Sequence, residues 1–314
     1  MTQRSNDQWL TIVNPNAGTG KCKRDWSKIS KILDQHQINY YPVFTNSPLH
    51  AIDLVVDFIG KGYRKIITVG GDGTMNEVIN GIFKQKHVPT TEITTGMISV
   101  GIGNDWVRTF NIPIDYEKAI KILKNETTFL QDAGIISFQN SSKTKERYFV
   151  NMAGLGFDGL VAQKTNFDKN HGRGNPLLYL KNIFSSLFSY KSVDTLIKID
   201  NHEELKHRVF SIGVGIGRFN GGGMEQVPCA KPDNGVFNMT LIKEMSKWSV
   251  LFSLRRLFNG TIGQHKKVVS LAGKKIRIDS NPSILLEADG ESLGHSPVEL
   301  QVVPKSIKVI INHL

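Results

Sequence analysis

Val69-Gly70-Gly71-Asp72-Gly73-Thr74-Met75-Asn76-Glu77 is the stretch whose reading decides the fold. Ahead of it, Lys65-Ile66-Ile67-Thr68-Val69 is a short β-branched apolar run suited to a buried strand, and behind it Met75, Val78, Ile79 and Ile82 have helical spacing. The glycines therefore form a turn that closes a strand and opens a helix. Such a turn lets backbone amides approach an anion, and Asp72 beside them can hold a magnesium ion through water. A lone Gly-Gly would more often serve backbone geometry alone. Gly-Gly-Asp-Gly-Thr is more demanding than that and points to a phosphate site.

Outward from this turn the same pattern repeats. Trp9-Leu10-Thr11-Ile12-Val13 reads as a buried strand running into Asn14-Pro15-Asn16-Ala17-Gly18-Thr19-Gly20-Lys21, a second glycine turn. It is not a Walker A loop, because Asn14 stands where that pattern needs glycine and Cys22 where it needs Ser or Thr. Helical spacing follows at Trp26, Ile29, Ile32 and Leu33, then a strand over residues 38–44 and a helix over 48–59 lead back to the Ile66 strand. This alternation implies a parallel sheet, which binds ligands beyond the carboxyl ends of its strands, and Asn14, Thr45 and Asp72 all stand at such ends. A strand over residues 97–100 runs into Gly101-Ile102-Gly103-Asn104-Asp105, a third glycine turn with a carboxylate. After a helix over 116–123, Asp132 interrupts an apolar strand, where an aspartate needs a partner or a cation.

Beyond residues 131–134 the pattern changes to strand-like runs at 148–153, 195–199, 209–214, 237–242, 275–278 and 283–286, which marks a domain boundary. Two helices interrupt these runs. One opens on the cap and first-turn pair Asn175-Pro176 and carries Leu177, Leu180, Ile183, Phe184, Leu187 and Phe188. The other carries Trp248, Leu251, Phe252, Leu254, Leu257 and Phe258 beside Lys247, Arg255 and Arg256. Stripes of this kind are expected in the core; the alternative is a wall for a lipid tail with a basic rim for anionic headgroups.

A chain of 314 residues exceeds what one core usually serves, so two domains are expected. The net charge of +11 suits an acidic partner: nucleotide, nucleic acid or an anionic lipid surface. The basic residues are scattered and form no zinc-finger, helix-turn-helix or RNA-binding signature, which speaks against nucleic acid. Cys22 and Cys229 alone build neither a disulfide framework nor a zinc site and fit a reducing cytoplasm, and the histidines show no HExxH pattern. Residues 1–8 are too polar for a signal peptide, and no apolar run approaches the roughly 20 residues that span a bilayer, so any membrane contact is expected to be peripheral.

Taken in order, five segments resemble the motifs of the diacylglycerol kinase catalytic family, specifically its soluble bacterial lipid kinases related to sphingosine kinases. They are Asn14-Pro15-x-x-Gly18, Gly70-Gly71-Asp72-Gly73-Thr74, Gly103-Asn104-Asp105, Gly221-Gly222-Gly223-Met224 with Pro228 and Ala230, and Asp289-Gly290-Glu291. Gly-Gly-Asp-Gly-Thr alone is shared with NAD kinases and phosphofructokinases; the ordered set is specific. The resemblance implies an α/β fold, with an N-terminal parallel-sheet nucleotide domain like that of NAD kinases and phosphofructokinases over residues 1–132 plus 305–314. A C-terminal β-rich, sandwich-like lipid-substrate domain with helices would cover 133–304, and the last strand, 307–311, would return to the first domain.

The same resemblance implies ATP contacts at Asn14, Pro15, Asn16, Ala17, Gly18, Thr45, Gly71, Asp72, Gly73, Thr74, Met75, Asn76 and Glu77, and at Ile102 and Asn104. It implies that Asp72, Asp105 and Asp132 hold Mg2+ through water, with Asp72 catalytic through that ion, and that Glu291 is the general base taking the proton of the acceptor hydroxyl. A second Mg2+ site would involve Lys231, Asn234 and Val236. Two positions depart from the family pattern: Ile102 lacks the hydroxyl expected beside the phosphates, and Asn234 stands where an aspartate aligns. The expectation is an ATP-dependent lipid kinase in the cytoplasm, peripheral on the inner face of the membrane, with diacylglycerol as default acceptor giving phosphatidic acid. A homodimer is left open, and an NAD kinase-like phosphotransferase or a non-catalytic nucleotide or lipid binder are the alternatives.

Overall fold

The computed structural model describes residues 7–141, 143–170 and 176–312; the polar opening residues 1–6 and Asn175 of the expected cap pair lie outside them. The chain divides into two compact units, Met1–Gln131 with Lys305–Leu314, and Asp132–Pro304.

The first unit alternates β1 (Trp9–Val13), α1 (Ala17–Gln35), β2 (Tyr40–Phe44), α2 (His50–Gly60), β3 (Lys65–Gly70), α3 (Asp72–Lys84), β4 (Thr94–Ser99), α4 (Asp105–Thr109) and α5 (Tyr116–Asn125). β1 pairs in parallel with β2 on one side and β3 on the other, and β3 pairs in parallel with β4. The order β2-β1-β3-β4 changes direction between β1 and β3, and the ends of these two strands flank the topological switch point where open α/β sheets take ligands. Val13, Ile67, Val69 and Ile98 pack with Ile29 and Leu33 of α1 and with Ile120 and Leu123 of α5. Burying each such side chain contributes roughly 1.5–3 kcal/mol relative to exposure.

The second unit takes up β5 (Thr128–Asn140) from Asp132 onward and continues through β6 (Lys143–Phe149), β7 (Met152–Gly156), α6 (Phe157–Asn170), α7 (Pro176–Ser189), β8 (Val193–Ile199) and β9 (Leu205–Gly215). A short hairpin, β10 (Phe219–Asn220) and β11 (Met224–Glu225), is followed by β12 (Phe237–Lys243), α8 (Lys247–Phe258), β13 (Val268–Gly273), β14 (Lys275–Asn281), β15 (Leu285–Ala288) and β16 (Glu291–Ile310). β9 pairs with β8 along residues 205–209 and with β7 along 211–215. The antiparallel pairings β7-β9-β8-β14-β16-β15 therefore close on themselves. Phe149, Leu155, Ile212, Phe237, Ile276 and Leu286 belong to the core of this unit.

Three sequence expectations change. The strand expected over 148–153 is two strands, broken after Phe149, because the amides of Val150, Asn151 and Met152 donate to the Asp289 carboxylate. A third helix, α6, joins the two expected in this unit. The strand expected at 307–311 is the end of β16, and its Lys308 and Val309, which belong to the first unit, pair there in parallel with Thr94 and Thr95. The apolar stripes are not wholly core: α7 buries Ile183 and Leu187 but exposes Leu180, Phe184 and Phe188, and Trp248, Phe252 and Phe258 of α8 are 63%, 78% and 62% exposed. No helix among the described residues is long and apolar enough to cross a membrane.

Candidate active site

Two groups of candidate side chains form, one in each unit. In the first unit the Asn14 and Asp72 turns are joined at the switch point, where Asn14 Nδ2 donates to Thr74 Oγ1 at 2.9 Å. Asn14 also organises its own turn, its Oδ1 accepting from Asn16 N at 3.1 Å and its carbonyl from Ala17 N at 3.1 Å, while Pro15 O accepts from Lys23 N. Thr45, at the end of β2, donates its amide to Val13 O at 2.9 Å. Gly18 closes the turn with φ +60°, and a Cβ there would lie 2.3 Å from the Val100 carbonyl oxygen. Gly18→Ala is therefore expected to displace the turn and lower stability by about 2 kcal/mol or more, read as a drop of several degrees in thermal midpoint.

α3 begins directly at Asp72, with Gly71 as its extended N-cap residue. Its first-turn amides, on Asp72, Gly73 and Thr74, have no place in the intrahelical ladder, which starts with Met75 N donating to Gly71 O at 3.1 Å. These amides and the positive end of the helix dipole are disposed to receive an anion. The Met75 and Asn76 side chains turn inward and are buried. Glu77 reaches the start of α2, its two oxygens accepting from Leu49 N at 3.0 Å and Ala51 N at 3.2 Å.

Asp72 clasps the third turn. Its Oδ1 accepts from the amides of Asp105 and Trp106 at 3.0 and 3.1 Å, capping α4. Its Oδ2 lies 3.1 Å from where a Cβ on Gly103 would stand, and Asp105 Oδ2 lies 3.1 Å from the same point. Arg108 Nε lies 3.9 Å from Asp105 Oδ1. Two carboxylates directed at one bare glycine fit a water-held divalent cation. Asn104 sits in the left-handed region with φ +55°, its Oδ1 accepting from Ser99 Oγ at 2.5 Å, and Ile102 is exposed on the turn.

Asp132 belongs to the second unit, where its Oδ2 accepts from Gly235 N and its amide donates to Pro232 O, both at 2.7 Å. The aspartate inside an apolar strand thus has partners in the Lys231–Val236 loop. In that loop Asn234 is exposed and its Oδ1 accepts from Val236 N at 3.3 Å. With an amide in place of a carboxylate, the loop fits a second magnesium ion poorly. No three His, Cys, Asp or Glu side chains among the described residues are grouped to hold a metal directly.

The second group surrounds the turn that carries Glu291. Asp289, with φ +48°, accepts from Val150, Asn151 and Met152 amides at 3.0, 3.0 and 3.1 Å. Glu287 Oε2 accepts from Gly290 N at 2.9 Å, and its Oε1 accepts from Asn220 Nδ2 at 3.2 Å, next to the Gly221-Gly222-Gly223 hairpin turn. Asn220 Nδ2 also donates to Gln226 Oε1 at 3.1 Å, and Gln226 Nε2 and Ser211 Oγ both donate to Asp158 Oδ2 at 2.6 Å. Glu291 itself accepts from Asn166 Nδ2 at 3.0 Å.

Burial raises the Asp158 carboxyl above its ordinary range, against the Ser211 and Gln226 donors. Glu287 is raised further: burial dominates, the charges of Asp158 and Asp289 add to it, and the Gly290 and Asn220 donors only partly oppose it. The folded chain then holds protons that the unfolded chain releases above the ordinary carboxyl range. This contribution to stability is complete below that range and is lost as pH rises towards the raised folded values. The thermal midpoint is expected to fall as pH rises above the ordinary carboxyl range, with a shallower fall in Glu287→Gln, read from melts at a series of pH values.

Asp158, Glu287, Asn166 and Asn220 were not among the site residues read from sequence. Glu287 carried one signal, a polar residue between Leu286 and Ala288, whereas Asn166 and Asn220 stand in polar or glycine-rich surroundings that single neither out.

Residues 8–134 match the diacylglycerol kinase catalytic domain, and residues 151–311 match the YegS C-terminal NAD kinase beta sandwich-like domain. YtlR of Bacillus subtilis (strain 168), whose name assigns it to the lipid kinases only provisionally, is 28% identical over 96% of this chain and 98% of its own. A diacylglycerol kinase of Staphylococcus haemolyticus (strain JCSC1435) is 29% identical over 95% of this chain and 86% of its own. Among solved structures, a diacylglycerol kinase from Bacillus anthracis str. Sterne superposes with a TM-score of 0.71 at 20% identity over 98% of this chain and 97% of its own, a likeness of fold alone. With both of its domains matched, the chain belongs to the diacylglycerol kinase catalytic family, a family of lipid kinases, and carries the YegS-type C-terminal domain.

Proposed function

We propose that this protein transfers the γ-phosphoryl group of ATP to a lipid hydroxyl, with diacylglycerol the acceptor and phosphatidic acid the product. The observation that carries the reading is the Asp72 clasp, which sets free first-turn amides and two carboxylates together at the ends of β3 and β4. ATP phosphates would lie against the amides of Asp72, Gly73 and Thr74 and against the Asn14–Gly18 turn. A magnesium ion held through water by Asp72 and Asp105 would supply positive charge to the phosphates.

Glu291 accepts the proton of the acceptor hydroxyl, that oxygen bonds to the γ-phosphorus, and the bond from phosphorus to the β–γ bridging oxygen breaks to release ADP. The pinned turn beneath Glu291 supports its role as a base. Access to a lipid acceptor is supported by exposed Trp248, Phe252 and Phe258 on α8, beside Lys247, Arg255 and Arg256. An apolar face rimmed by basic residues suits the anionic inner surface of a cytoplasmic membrane.

The reading is tested by offering the purified protein ATP, magnesium and, separately, diacylglycerol, a sphingoid base, phosphatidylglycerol, polyprenol and NAD. Diacylglycerol is expected to be phosphorylated preferentially. Phosphorylation of NAD alone would instead favour the activity of the yeast NADH kinase, whose fold is shared at a TM-score of 0.51 and 14% identity.

A further inference from the structure

The backbone around Glu291 is held from several sides. Asp289 accepts from three consecutive amides, Val150 to Met152, and Asp289 N donates to Met152 O at 2.9 Å. Glu287 holds the Gly290 amide. None of these bonds determines where the Glu291 carboxylate points, because a glutamate side chain keeps several rotatable bonds whose ordering has its own entropic cost. Asn166 acts on the carboxylate itself, its Nδ2 donating to Oε2 at 3.0 Å.

Asn166 is well placed to do this. It lies on α6, which is tied to β9 and the β11 region near its start by Ser211 and Gln226 donating to Asp158. Near its end α6 is tied to α7 by Asn182 Nδ2 donating to Asp168 at 2.8 Å. The Oδ1 of Asn166 is buried, so the amide group does not swing out to solvent. A reversed amide would set Oδ1 against the Glu291 carboxylate, oxygen against oxygen, so the charge of Glu291 selects the donating orientation.

We infer that Asn166 is a positioning residue for Glu291, fixing the carboxylate in one orientation from a helix anchored on both sides of it. The inference rests on the reading of Glu291 as the proton acceptor. A donor aimed at the carboxylate also favours its charged form, the form that can take a proton.

The test uses the full chain labelled with 13C at glutamate carboxyls, the Glu291 resonance being assigned by its loss in Glu291→Gln. Asn166→Leu keeps much of the side-chain volume without a donor, and Asn166→Asp keeps the shape with an acceptor in the donor's place. The Glu291 titration midpoint is expected to rise by roughly one pH unit in Asn166→Leu and further in Asn166→Asp. With dioleoylglycerol micelles and ATP, kcat is expected to fall roughly tenfold or more while KM for ATP holds, and the acid limb of the pH profile is expected to move with the titration. Asn166→Leu should have no further effect in a Glu291→Gln background. An unshifted titration in both variants overturns the inference. So does a shifted titration with unchanged kcat while Glu291→Gln is inactive. Normal turnover by Glu291→Gln removes the base reading itself, a different failure that the titration distinguishes.

Discussion

Asp72→Asn is expected to give a folded protein that binds ATP weakly and transfers its phosphate roughly 10²–10³-fold more slowly. The substituted amide keeps an oxygen where Oδ1 now accepts from the Asp105 and Trp106 amides, so the start of α4 should survive. What disappears is the negative charge that faces Gly103 together with Asp105. Asp72→Ala removes the cap as well and should lose a further 0.5–2 kcal/mol or so of stability, a fall of a few degrees in thermal midpoint. The pair separates charge from scaffold: similar melts for wild type and Asp72→Asn, with turnover lost, assign the defect to electrostatics. Equal turnover in Asp72→Asn and wild type would remove Asp72 from the chemistry.

Glu291→Gln is expected to lower turnover by roughly 10²–10⁴-fold while ATP affinity stays within experimental scatter. The residue belongs to the second unit, whereas the Asn14, Asp72 and Asp105 turns belong to the first. The glutamine oxygen can still accept from Asn166, but a neutral amide takes no proton at working pH. Calorimetry with ATP and a parallel turnover assay check both halves of the expectation, and turnover that survives would take the base role from Glu291.

Much of the first unit was legible because its signals are local. The Ile66–Val69 run reads as a strand buried on both faces, and the glycine turn followed by Met75, Val78, Ile79 and Ile82 reads as a strand-to-helix junction. The repeat of that pattern at Asn14 and Gly101 implies a parallel sheet, and with it the placement of the turns at strand ends. The partners of each group were not legible, because they come from long-range geometry. Nothing near Glu77 in sequence indicates that it caps a helix starting at His50, nor that Asp289 breaks a strand at Val150.

The second unit was harder for related reasons. β9 serves different neighbours along its length, which strand periodicity does not encode. The start of α6, Phe157-Asp158-Gly159, sets a half-buried aspartate beside a glycine, which lowers helix propensity, so its pattern is weak. Periodicity predicted the stripe on α8, but its exposure depends on what packs over it, and Phe252 and Trp248 remain outside.

The most direct test of the central claim is the fate of the γ-phosphoryl group. Wild-type protein is incubated with γ-labelled ATP, magnesium and dioleoylglycerol micelles, and the mixture is extracted into organic solvent. The label is expected in the organic phase as phosphatidic acid, dependent on both protein and lipid. Label that stays in the aqueous phase with every lipid acceptor, or that moves to NAD instead, would contradict lipid phosphorylation by this chain.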